Sequence, residues 1–145
     1  VLLDYGCQYQ GYLSDMTRVV VVGKASERQR EVYRLCRQMT EDTEDAVRAG
    51  VTGTACYEAS LRAIRDTEYF PYHYRGIGHG VGLFVHELPN LGSECDNVLA
   101  KDSVLTVEPG IYIPEWGGVR IEDQGIVTED GYKNLIGATH ELIEL

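Results

Sequence analysis

The sequence predicts one α+β domain built on an antiparallel sheet with two helices, and three observations carry that expectation. The chain has 145 residues, which suits one domain and is long enough to bury a hydrophobic core. Residues 1 to 22 and most of the second half read as short β-type runs punctuated by glycine, whereas helical periodicity is confined to the stretch between. Strands, two helices and then more strands are the order of an α+β domain. No repeat of fixed period and no low-complexity linker marks an internal boundary.

Taken in order, residues 1 to 8 and 12 to 22 are expected to be extended, the second ending in the β-branched run Val19-Val20-Val21-Val22, with Gly11 marking the turn. The chain opens on Val1-Leu2-Leu3, a strand already under way, which is the expectation for a piece of a longer polypeptide. Ser26 with Gln29 has the form of a capping box, and Val32, Leu35, Cys36, Met39, Ala46 and Val47 recur at helical spacing up to Gly50. That predicts an amphipathic helix of about 24 residues. A second helix is predicted from 54 to about 66, with Cys56, Ala59, Ala63 and Ile64 on its inner face. Beyond it come a His/Gly-rich segment at 73 to 86 and β-type runs at 104 to 113, 119 to 127 and 142 to 145.

Thirteen Lys plus Arg against 23 Asp plus Glu leave a net charge of -10, which argues against nucleic acid and anionic lipid as partners. No stretch reaches the roughly 20 apolar residues of a membrane span. Cys7, Cys36, Cys56 and Cys95 are widely spaced, without a Cys-x-x-Cys pair or a signal peptide, and are expected to be reduced thiols in a cytoplasmic protein.

Four carboxylates fall into two pairs. A hairpin turning between Tyr9 and Gln10 sets Asp4 opposite Asp15, and one turning at Pro114-Glu115-Trp116-Gly117-Gly118 sets Glu108 opposite Glu122. Like charges facing each other on a sheet destabilise it unless a cation lies between them. Two such pairs and an imidazole are what two divalent ions about 3.5 to 4 Å apart require. His79 is the candidate imidazole, and Gly78 and Gly80 beside it allow close approach of backbone and substrate.

These residues sit in a series of segments: Asp4-Tyr5-Gly6, Gly11-Tyr12-Leu13-Ser14-Asp15-Met16-Thr17-Arg18, Gly78-His79-Gly80-Val81-Gly82-Leu83, Val85-His86-Glu87-Leu88-Pro89, Val107-Glu108-Pro109-Gly110-Ile111-Tyr112 and Gly118-Val119-Arg120-Ile121-Glu122-Asp123. In this order they resemble the motifs of the pita-bread metallopeptidases, and they cover nearly the whole chain. The resemblance implies a pita-bread (creatinase/aminopeptidase-like) fold, with residues 1–145 as the metal-binding part of a catalytic domain whose upstream half is absent. It implies two divalent metal ions per chain: Asp4 on one, Asp15 and Glu122 bridging, and His79 and Glu108 completing the other. Manganese is the expected ion, and cobalt, zinc and iron(II) tolerate the same set.

The resemblance also implies that a water shared by the ions attacks the scissile carbonyl, with Glu108 as proton shuttle and His86 donating to the growing charge. Arg120 would be held against Asp4 or the substrate. The segments around Glu108 and Glu122 resemble most the Xaa-Pro dipeptidase and aminopeptidase branch, with methionine aminopeptidase the nearest alternative. A non-catalytic binding module is argued against by the complete ligand set. A homodimer with an additional N-terminal domain is implied for the full-length protein, and little activity for this part alone. One departure stands out: many relatives carry a histidine four residues before the metal-binding one, where this chain has Arg75, with His73 two positions earlier. Trp116 reads as packing or interface, and Tyr69, Phe70, Tyr72 and Tyr74 as core or pocket wall.

Overall fold

A computed structural model describes residues 1–145. Strand β1 (Leu2–Tyr5), the short ladder of β2 (Gln8–Tyr9) and β3 (Tyr12–Leu13), and β4 (Met16–Val21) come first. Helices α1 (Glu27–Ala46) and α2 (Gly53–Ser60) follow, the second tightening into a 3-10 turn at Leu61–Ala63. A further 3-10 turn at Phe70–Tyr72 leads into β5 (Gly76–Gly80) and β6 (Glu87–Gly92). The remainder is β7 (Val104–Val107), β8 (Gly110–Ile113), β9 (Gly117–Arg120), β10 (Asp123–Val127), β11 (Tyr132–Asn134) and β12 (Ile143–Glu144).

Five strands form one sheet in the order β11-β10-β7-β5-β6, and every neighbouring pair in it is antiparallel. A three-stranded sheet, β1-β4-β12, lies beside it. Its β12 runs parallel to β4, the one departure from the antiparallel expectation. A parallel neighbour needs a long connection, and the chain supplies one by visiting both helices and the whole second sheet before it returns.

Helix α1 starts where the sequence says it should. The Ser26 hydroxyl accepts from the Gln29 amide, and the Gln29 side chain reaches back to the Ser26 N–H at 2.8 Å. It stops at Ala46, short of Gly50, because Val47 turns extended (φ -69°, ψ 121°). Its apolar stripe, Val32, Leu35, Cys36 and Met39, is buried together with Ile77, Leu105, Val107 and Ile121 of the strands in a single core. The same face props the strands from behind: Cys36 Sγ donates to the Pro109 and Val119 carbonyls (3.3 and 3.4 Å), and Thr40 Oγ1 to the Ile121 carbonyl (3.2 Å). Burial pushes the Cys36 thiol up to about 12, so it packs rather than reacts. All four cysteines are free, and no helix is long and apolar enough to cross a membrane.

The runs expected at 104 to 113 and 119 to 127 each break into two strands, at Glu108-Pro109 and at Ile121-Glu122. Both breaks are places where the backbone changes partner: the Glu108 N–H donates to Ile77, and the Glu122 N–H leaves its own sheet for the Thr17 carbonyl of β4 at 3.1 Å. Strand β6 has no sequence signal because Pro89 interrupts it, which is tolerated at a sheet edge.

Candidate metal centre

The ladder breaks deliver the functional groups. Asp15 immediately precedes β4, His79 lies in β5, Glu108 in the gap between β7 and β8, and Glu122 in the gap between β9 and β10. Ligand atoms of Asp15, His79 and Glu122 all lie within 4.8 Å of one another. His79 Nε2 is 3.0 Å from Glu108 Oε1 and 3.8 Å from Asp15 Oδ2. On the other side of the ring, Nδ1 faces the Gly80 carbonyl at 3.0 Å. A carbonyl only accepts, so Nδ1 carries a proton and Nε2 is the nitrogen that faces the carboxylates, donating to Glu108 when protonated and free to bind a cation when not.

Glu122 is 1% exposed. Its Oε2 accepts from the Thr17 hydroxyl at 2.6 Å, while Oε1 is buried with no hydrogen-bond partner. A buried acceptor left without a donor costs on the order of 1 to 3 kcal/mol, and a cation shared with Asp15 and His79 would remove that cost. The titration behaviour agrees. Burial and then the nearby Glu108 push Glu122 up to about 8, and burial and then Asp4 raise Asp15. Burial alone would lower His79, but its hydrogen bonds to Glu108 and Gly80 prevail and raise it. Each of these groups is thereby shifted toward its protonated form, the direction that burial and crowding of acids impose on carboxyls.

Two threonines to which the sequence reading gave no role support these groups. Thr17 donates to Glu122 and accepts from Arg120 Nε at 3.2 Å. Thr106 accepts from the His79 amide at 3.1 Å and donates to Glu108 Oε1 at 3.2 Å. Each stands two residues from a ligand on the same strand face, so the period of two was the available signal. Gln124, which accepts from the Asp15 amide at 2.9 Å, had none.

The register of the first hairpin differs from the expected one. Asp4 stands opposite Thr17, not Asp15, because the turn centres on Gln10 and Gly11, both left-handed (φ 50° and 90°), between the pair Tyr9 and Tyr12. A slip of two residues keeps side chains on their face, and Asp4 remains close enough to raise Asp15. Asp4 stands outside the three-residue cluster, half exposed, in an ion pair with Arg120. Arg120 also donates to the Tyr112 hydroxyl at 3.0 Å and lies 3.7 Å from Glu108 Oε2. Arg120 is thus held against Asp4, one of the two contacts expected of it. The second hairpin keeps its expected register: Gly110 pairs with Arg120 on one side of Glu108 and Glu122, and Val107 with Asp123 on the other.

A cleft of about 470 Å³ opens beside the cluster on the His79 and Glu108 side, lined also by His86, Tyr74, Arg75 and Glu94 among others. The His86 ring stands 4.3 Å from that of His79, centroid to centroid, on an exposed loop. Arg75 lines the cleft and His73 does not; His73 is held by the Tyr57 hydroxyl at 2.6 Å and the Phe70 carbonyl. Tyr69 belongs to the core, Phe70, Tyr72 and Trp116 pack against it, and Tyr74 is cleft wall. A larger hollow of about 580 Å³, near Leu2, Val20 and Trp116, contains neither carboxylate nor imidazole. Gly78 and Gly80 serve the backbone: a Cβ would come within 2.2 Å of the Thr106 carbonyl oxygen or 2.4 Å of the Leu88 one.

The model of metallopeptidase family M24 matches residues 1–129. The Xaa-Pro dipeptidase of Pyrococcus furiosus is 40% identical over 143 residues, covering 99% of this chain and 41% of the relative. That of Lactobacillus delbrueckii subsp. lactis is 38% identical over 142 residues, with 98% and 39% covered. Among solved structures, the X-Pro aminopeptidase from Thermotoga maritima MSB8 superposes with a TM-score of 0.95 at 33% identity, covering 99% of this chain and 41% of that one. The Xaa-Pro dipeptidase from Bacillus anthracis gives 0.95 at 40% identity with the same coverage. The chain therefore spans about 41% of the length of such relatives, and the likeness bears out the pita-bread expectation.

Proposed function

The chain belongs to metallopeptidase family M24, and from that premise we propose that residues 1–145 are the metal-binding part of a catalytic domain that hydrolyses peptide bonds preceding proline. The observation that carries the metal reading is the buried, unpartnered Oε1 of Glu122, a residue whose carboxylate clusters with Asp15 and His79. Asp4, Asp15, His79, Glu108 and Glu122 would hold two divalent ions. An oxygen-rich set with one imidazole suits manganese, with cobalt, zinc and iron(II) as other occupants. Such ions polarise a carbonyl and acidify a shared water.

The chain's own groups do the rest. Glu108, steadied by the Thr106 hydroxyl, accepts a proton at Oε1 and returns it to the leaving amine. His86, on the open side of His79, donates to the carbonyl oxygen as charge grows there. Arg120 orients Asp4 and the Tyr112 hydroxyl. The names of the relatives, Xaa-Pro dipeptidase and X-Pro aminopeptidase, support a prolyl substrate. Their greater length supports an additional N-terminal domain, and four free thiols are in keeping with a place in the cytoplasm.

The test is a substrate panel on the full-length protein, before and after chelation. Cleavage before proline, abolished by a chelator and restored by manganese, is the expected result. Equal or better turnover of Met-Gly peptides would assign the chain to methionine aminopeptidases, and chelator-resistant turnover would remove the metal mechanism.

A further inference from the structure

Alternate residues of a strand face opposite ways. The side chains of Thr17 and Glu122 meet each other at the carboxylate cluster while their neighbours Arg18 and Asp123 meet on the other side, and no role above uses that rear pair. Arg18 is 8% exposed and Asp123 0%. A guanidinium has five N–H donors, and those of Arg18 meet five acceptors. Nη1 donates to the Thr17 and Glu122 carbonyls (2.9 and 2.6 Å), Nη2 to Asp123 Oδ1 (2.5 Å) and the Ala138 carbonyl (3.0 Å), and Nε to the Thr139 carbonyl (3.0 Å). The other Asp123 oxygen meets His140 Nε2 at 2.5 Å.

We infer that residues 138 to 140, acting through Arg18 and Asp123, form a positioning clamp for the metal centre that fixes Glu122 against β4. This rests on the metal reading above. The peptide groups flanking Glu122 are held at both ends, its N–H by the Thr17 carbonyl at 3.1 Å and its carbonyl by Arg18. Glu122 cannot shift relative to Thr17 without disturbing a buried ion pair, and a buried charge stripped of its partner is strongly unfavourable. Groups that orient ligands in this way set metal affinity. The clamp segment lies beyond residues 1–129 that match the family model, in a C-terminal stretch that the relatives still cover. The same stretch is tied down again at Glu144, which accepts from Lys24, Ala25 and Arg30 well away from the cleft.

Those two ties make the test. Arg18 and Asp123 variants risk unfolding, whereas His140 is only partly buried and leaves the Arg18 pair in place. Manganese alone is titrated calorimetrically into the full-length protein and its variants, with thermal melts of each metal-free form. His140→Ala is expected to bind manganese about tenfold more weakly. His140→Gln, which keeps an N–H near the position of Nε2, should restore affinity, and Glu144→Ala should leave it unchanged even where its melting point falls. Parental affinity in folded His140→Ala overturns the clamp. Equal weakening in Glu144→Ala overturns it too, because the effect would then be general loosening. Absence of manganese binding in the parent would instead bring down the metal reading itself.

Discussion

The two hairpins that carry the carboxylates are built in opposite ways. Strand β1, which bears Asp4, is exposed along its whole length, and Leu3 is 43% exposed. Strands β7 and β10, which flank Glu108 and Glu122, are largely buried, with Leu105 and Val107 at 0%. Asp4 is held by one side chain, Arg120, whereas Glu122 is held by backbone, by Thr17 and by the core beneath it. The difference teaches that the candidate ligands of one site need not share one source of rigidity. The second hairpin brings its own, and the first borrows it across the cleft.

The same contrast runs through the two histidines and gives the largest expected effect. His79 lies within β5, and His86 on the exposed loop beyond it. In the full-length protein, His79→Ala should lower metal occupancy and activity together, with partial rescue by excess metal. His86→Ala should keep its metal and lose on the order of 10² to 10³ in kcat, with no rescue. Elemental analysis beside rate measurements decides it: metal loss in the His86 variant and retention in the His79 variant would reverse the roles.

Stability should divide along the same line. Leu105→Ala, at a fully buried position in β7, should cost about 2 to 5 kcal/mol in denaturant unfolding. Leu3→Ala should stay within about 0.5 kcal/mol of the parent. Comparable costs at the two positions would mean that the hairpins are equally embedded.

The buried hairpin also carries a pH dependence. Burial and Glu108 push Glu122 up from 4.5 to about 8, and burial and Asp123 push Glu44 up to about 7. Between the ordinary value and the raised one, the metal-free native state holds protons that the unfolded chain has released. Its stability should therefore fall as pH rises through that window. A cation must displace the Glu122 proton, and at lower pH that of His79 too, so manganese affinity should rise at least about tenfold per pH unit up to about 8. Affinity that stays flat between about pH 6 and 8 would show Glu122 already ionised.

Legibility in the sequence followed locality. The Ser26 and Gln29 box was readable because cap and partner are three residues apart. The register that brings Glu108 and Glu122 together was readable because proline and glycines mark the hairpin tip, whose observed pairing puts Ile113 opposite Gly117. The first hairpin misled by two residues because Gln10, no habitual turn former, takes a left-handed position. The ladder breaks at Glu108 and Glu122 could not be read, since they arise where strands exchange partners with distant segments. The pairing of Arg18 with Asp123, 105 residues away, was invisible for the same reason.

The glycines beside His79 have an evolutionary consequence. Side chains at 78 and 80 would run into neighbouring backbone, at the Thr106 and Leu88 carbonyls. A descendant that abandoned catalysis would be free to replace Asp15, His79 or Glu122, but would still need both glycines for β5 to fit between β6 and β7. Survival of a Gly-x-Gly pair in a distant homologue therefore testifies to ancestry and sheet packing, and only the residues around it testify to chemistry.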